Sequence, residues 1–182
     1  MRIIQKATCI SFAFVVYFNI EIFCGVVISV KNKSLFLAIF FLILTVLWSM
    51  FIWSFSSKNA TESTADSDGV VEIVNEVIEK VTGKKVDVGA DMVRKLAHFF
   101  EFSVLGVLLF MTVHYFGAKS IPHRYAFGLG GGLFVSLTDE CLQLFYEGRS
   151  AQVTDVLLDM SGVIAGFTVS LLVLRLYLKR IK

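Results

Sequence analysis

The sequence predicts an all-α fold: a polytopic membrane helix bundle of five transmembrane helices plus one amphipathic interfacial helix. Three observations predict it. Hydrophobic residues make up 56% of the 182 residues, with 18 phenylalanines and one proline, more apolar surface than a soluble domain of this size can hide. That apolar content gathers into five runs, each long enough at about 1.5 Å per residue to cross a hydrocarbon core of about 30 Å. Between the second and third runs lies a polar stretch with a helical period of its own.

The first run, 7–30, is interrupted only by Glu21. Arg2 and Lys6 precede it as in a secretory signal. The apolar stretch is too long for a signal core, and no small-x-small cleavage site follows before Lys31, so a retained membrane helix is expected. The second run, 35–55, carries no charge over 21 positions and is the clearest span. Residues 56–95 then hold eight carboxylates. Within them Val70, Ile73, Val74, Val77, Ile78 and Val81 recur at three- and four-residue spacing, with Glu72, Glu76, Glu79 and Lys80 on the other face. This predicts an amphipathic helix at about 69–82, with Asp68 as N-cap and Gly83 as stop. It either lies on the membrane surface or over the site, or packs on the bundle as a solvated connector; its acidic face is unusual for anionic lipid. The third run, 96–116, contains His98, Glu101 and His114; the fourth, 125–146, Asp139 and Glu140; the fifth, 156–178, Asp159 and Arg175.

The charges inside these runs fall on one side of the membrane. Counting spans places the end of the second run, with Ser54, Ser56 and Ser57, beside the start of the third, the end of the fourth and the start of the fifth. Arg94, His98 and Glu101 follow a helical spacing, as do Ser136, Asp139 or Glu140, and Gln143, and again Asp155, Asp159, Gly162 and Gly166, so each helix has one polar stripe. Glu101, Asp139 and Asp159 lie roughly 5 to 10 Å inside the span ends, within one leaflet. Charge within a span is costly, so converging stripes point to a functional site in a small polar chamber. Gly128, Gly132, Gly162 and Gly166 favour close helix approach.

His98, Glu101, Asp139 and Glu140 are the catalytic candidates. Lys95, Gln143, Arg149, Asp155 and Asp159 are the candidates for substrate binding. Glu101, Asp139 and Asp159 offer oxygen ligands for a divalent cation, with His98 as ligand or general base. Lys95 and Arg149, the latter after Gly148 in a tight turn, suit phosphate. Against this stands a packing role: Lys95 with Glu101 or Asp139, and Arg149 with Asp155, as ion pairs that set helix positions. That explains single pairs better than five carboxylates facing two or three cations, an excess that calls for a metal, protonation or solvent. No H-E-x-x-H, P-loop or G-x-S-x-G signature fixes a reaction. His114 and His123 fall on the opposite side. Cys9, Cys24 and Cys141 are odd in number and lack metal-ligand spacing. The net charge of +2 is scattered over several loops, so no nucleic-acid partner is expected.

The stretches RKLAHFFEFSVLG at 94–106, SLTDECLQLFYEGRSAQVTDVLLDMSG at 136–162 and WSFSSKNATEST at 53–64 resemble the VanZ family of bacterial membrane proteins. The resemblance rests on K-x-x-H-F, D-E-x-x-Q, G-R and D-x-x-x-D in that order, and it matches Lys95, His98, Glu101, Asp139, Glu140, Gln143, Arg149, Asp155 and Asp159 to the family pattern. Phe102 stands where many relatives have tyrosine. On this basis residues 1–34 form an extra N-terminal transmembrane helix and residues 35–182 a VanZ-like four-helix membrane domain. The family's namesake is associated with resistance to teicoplanin-type glycopeptides, so the resemblance implies a bacterial cell-envelope role.

Two functions follow as expectations. The first is binding of a lipid or glycan head group, on a membrane lipid or lipid-linked cell-wall precursor, that reduces glycopeptide action. The alternative is an intramembrane metal-dependent enzyme acting on a lipid-linked phosphate or glycan precursor. A transporter fits less well, because the polar residues occupy one leaflet and no inverted repeat is evident. Lys31, Lys33, Lys119, Arg124, Arg175, Lys179, Arg180 and Lys182 outnumber Arg2, Lys6, Lys58, Arg94, Lys95 and Arg149 on the other side. This imbalance favours a cell-membrane protein whose site faces outward.

Overall fold

The computed structural model of the chain describes residues 32–57, 60–83, 88–118, 120–146 and 151–181, and the regular structure among them is helical throughout. The first apolar run with Glu21, Cys9 and Cys24, and the turn residues Gly148 and Arg149, lie outside the described residues. The described helices are α1 (Asn32–Ser56), α2 (Ala60–Thr82), α3 (Ala90–Tyr115), α4 (Ile121–Gln143) and α5 (Val153–Ile181).

Three of them are long and apolar enough to cross a membrane: α1 over Ser34–Ser56, α3 and α5. α4 has 23 residues, enough length for a span. Its run of glycines at 128 and 130–132, with Asp139 and Glu140, dilutes its apolar content. Helix is the natural state of such segments, because each backbone donor and acceptor is satisfied within the segment itself. Ser120 caps α4, its Oγ 3.4 Å from the His123 N–H, and Pro122 sits in the first turn, where a missing N–H costs nothing. At the end of α3, Gly117 takes φ 84°, a left-handed conformation open to glycine at no steric cost.

The amphipathic helix is longer than its apolar period suggests. It begins at Ala60, so Asp68 lies inside it and does not cap it. The periodic valines and isoleucines mark only the portion with an apolar face, whereas Ala60, Glu62 and Ala65 also tolerate helix well. At its end Gly83 has φ 68° and donates its N–H to the Glu79 carbonyl at 2.8 Å. Val74 and Ile78 are half-buried, while Val70, Ile73, Val77 and Val81 are exposed. The Val88 N–H donates to Asn75 Oδ1 at 2.9 Å, tying α2 to the segment that enters α3.

α3 is the central helix and packs most extensively on α5. A Cβ on Gly166 would lie 1.9 Å from the Ser103 carbonyl oxygen, one on Gly106 2.3 Å from that of Val163, and one on Gly162 2.5 Å from that of Phe99. The two backbones therefore touch, as small residues permit in lipid. Around this contact Ile52, Phe102, Leu105, Leu109, Val135 and Val163 form one buried cluster, and Phe110, Phe167 and Leu171 another. The rings of Phe110 and Phe167 meet edge to face, 5.1 Å apart at 87°. Polar ties cross the bundle too: Trp48 Nε1 donates to the Glu101 carbonyl at 2.9 Å and Trp53 Nε1 to the Val135 carbonyl at 3.2 Å. Outside, Phe36, Met50, Phe100, Leu157, Val173 and Leu176 are exposed, the apolar surface that lipid requires.

Candidate functional site

The last turn of α1, the first half of α3, the last turns of α4 and the first turns of α5 meet at one end of the bundle, and buried polar side chains concentrate there. Asp139 is 0% exposed, Asp159 1% and Glu140 5%. Asp139 Oδ2 accepts hydrogen bonds from Ser56 Oγ at 2.8 Å and from Gln143 Nε2 at 3.0 Å. The second partner follows from helical period, since positions four apart share a face. Asp159 Oδ2 accepts from Ser136 Oγ at 2.8 Å, which links α4 to α5. Glu140 Oε2 accepts from the Gln152 N–H at 2.8 Å and so holds the segment leading into α5.

His98 enters from α3, half-buried, its ring stacked on Phe102 with centroids 6.4 Å apart. Its Nδ1 lies 3.8 Å from Asp159 Oδ1. One ligand atom from each of His98, Asp139 and Asp159 falls within 4.8 Å of the others. Two charged carboxylates within 4.8 Å of each other repel by about 3 kcal/mol or more at an effective dielectric constant of about 20. The hydroxyls of Ser56 and Ser136 and the amide of Gln143 offset part of this as neutral donors.

The tertiary arrangement thus joins His98, Asp139, Glu140, Gln143 and Asp159. Glu101 is half-buried one turn beyond His98, and the converging set contains the imidazole where sequence reasoning placed the Glu101 carboxylate. Asp155 is half-buried one turn before Asp159, toward the start of α5. Lys95 is exposed. Arg94 is held by Asp91 at 3.3 Å on the surface rather than in the cluster. Arg149 lies outside the described residues.

The sequence places Ser136 in a polar stripe and Ser56 at the end of the second run, but marks neither as a donor to an aspartate. For Ser136 the signal was its place three residues before Asp139 on a helix. Ser56 had only its position at the end of the second run. The Gln152 contact is made by backbone and has no side-chain signature.

These features define a helical membrane protein with a buried cluster of histidine, carboxylates and their hydroxyl and amide donors at one end of its bundle. The VanZ/LLP1 family model matches residues 41–175, and the chain belongs to that family. The matched region runs from within α1 to near the end of α5 and takes in every residue of the cluster. No curated protein and no solved structure matches the chain.

Proposed function

We propose that this VanZ-like protein modulates the bacterial cell envelope, reducing the action of teicoplanin-type glycopeptides by holding a lipid or glycan head group at the buried cluster. The observation that supports this reading is the convergence of Asp139, Glu140 and Asp159, each more than nine-tenths buried, with His98 from a third helix. A membrane protein retains such costly groups where they act on something polar. Carboxylate oxygens accept hydrogen bonds from sugar hydroxyls or ammonium groups, and Lys95, exposed one turn before His98, suits a head-group phosphate.

In this reading the chain crosses the cell membrane five times, the first crossing being residues 7–30, and the cluster lies in the outer leaflet. α2 rests on the same surface with Val70, Ile73, Val77 and Val81 in the head-group region, where an amphipathic helix buries its apolar face. The partner is a membrane lipid or a lipid-linked cell-wall precursor.

The test is susceptibility to teicoplanin and vancomycin in a host lacking relatives, at matched membrane abundance. Wild-type protein is expected to raise the inhibitory concentration of teicoplanin, and Asp139→Asn and Asp159→Asn to abolish the increase. Unchanged protection by both variants reduces the cluster to a packing device.

A further inference from the structure

We propose that His98, Asp139 and Asp159 form a binding site for a divalent cation of the zinc or manganese class. The cluster is the one on which the envelope reading rests, but the inference does not depend on the identity of the head group.

The geometry comes first. The three side chains arrive from α3, α4 and α5, and their ligand atoms gather within 4.8 Å. Asp159 is 1% exposed, and its Oδ2 is held by Ser136 Oγ at 2.8 Å. Its Oδ1 faces His98 Nδ1 at 3.8 Å, beyond hydrogen-bond reach. Two ligands held at about 2.0 to 2.2 Å from one ion stand roughly 3 to 3.5 Å apart. Small side-chain rotations therefore close the set on a metal.

The surroundings support the same assignment. Both aspartates are clamped through Oδ2, by Ser136 in one case and by Ser56 with Gln143 in the other. Outer donors of this kind orient carboxylate ligands in metal sites. A dication bound by His98, Asp139 and Asp159 would also offset the repulsion between the two aspartates. One imidazole nitrogen with two carboxylate oxygens suits zinc or manganese better than magnesium or calcium, which prefer oxygen alone. Three protein ligands leave at least one coordination position open, where a phosphate or hydroxyl oxygen of a bound lipid can complete the shell.

The test uses the full chain in detergent micelles, stripped with a chelator and titrated with Zn²⁺ and with Mn²⁺ by calorimetry, with thermal unfolding followed in parallel. About one ion per chain is expected, with a rise of several degrees in the unfolding midpoint at saturation. His98→Ala and Asp159→Asn each weaken binding at least about tenfold, whereas His114→Gln, on the same helix as His98 but at its far end, binds as wild type. Asp159→Asn is nearly isosteric and removes one of two repelling charges, so without metal it unfolds no earlier than the stripped wild type. Folded wild-type protein that binds neither ion, or variants that bind as tightly as wild type, overturns the assignment. Metal bound without glycopeptide protection sinks the envelope reading alone, and protection in cells without metal bound in vitro sinks the cation site alone.

Discussion

Adding one methyl group at Gly166 tests the helix contact that holds the candidate site together. The new Cβ would lie 1.9 Å from the Ser103 carbonyl oxygen, 2.8 Å from its carbonyl carbon and 3.2 Å from its Cα. Restoring an ordinary contact of about 3.4 Å requires α3 and α5 to separate locally by about 1.5 Å, because the obstacle is backbone and cannot rotate away. A gap of 0.5 to 1 Å already forfeits about a quarter to a half of the dispersion energy of the atoms facing it. Gly106 and Gly162 face the same interface, so the whole contact loosens. Gly166→Ala is therefore expected to destabilise by about 3 kcal/mol, the upper end of the usual overpacking cost. Gly130→Ala is the matched control: nothing lies within 4 Å of its new Cβ, and helix propensity favours alanine there by up to about 1 kcal/mol. Trp48 and Trp53, the two tryptophans of the chain and both on α1, report unfolding by fluorescence as denaturant is added to micelles. If the two variants unfold at the same midpoint, α3 and α5 do not touch as described.

Ser136→Ala removes the hydroxyl that Asp159 Oδ2 accepts and is expected to cost about 1.5 to 3 kcal/mol in the same unfolding assay, as for other bonds to charged groups. Lys95→Ala, at an exposed position, is expected to change stability by less than about 0.5 kcal/mol, while in the susceptibility assay it lowers teicoplanin protection; a large loss of stability would instead make Lys95 a structural partner. Val77→Asp places a charge in the exposed apolar stripe of α2 and is expected to leave the unfolding midpoint unchanged, because Val77 is not buried against the bundle. In spin-labelled protein carrying that change, a label at position 73 should become more accessible to a water-soluble relaxation agent; unchanged accessibility means α2 does not rest on the membrane.

Several features of this protein were already legible in the chain. The second to fifth apolar runs became α1, α3, α4 and α5, because a long, mostly apolar stretch satisfies its backbone groups best as helix. The polar stripes at Ser136, Asp139, Gln143 and at Asp159, Gly162, Gly166 are the buried faces of α4 and α5. They were readable because both burial and helix geometry repeat at 3.6 residues. The VanZ resemblance rested on those same residues and agrees with the family match.

What only tertiary structure decided is the rotation and close register of each helix. Neighbouring residues on a helix differ by about 100° in direction, so Asp139 and Glu140 look alike as candidates in sequence. In the folded bundle Asp139 joins the His98 set, whereas Glu140 turns to the Gln152 backbone. His98 and Glu101 share a stripe but stand about 4.5 Å apart along the axis, and it is His98 whose ligand atom falls with those of Asp139 and Asp159. α1 is apolar on every side, so nothing in its composition singled out Thr45, Ser49 and Ser56 as its buried face. Contact with Thr112 and with Asp139 made that choice. Sequence alone therefore determined which described segments form long helices and which end of the bundle gathers charge, since those depend on composition and spacing. Backbone contact at Gly106, Gly162 and Gly166 determined which atoms meet, since that depends on how far two particular helices can approach.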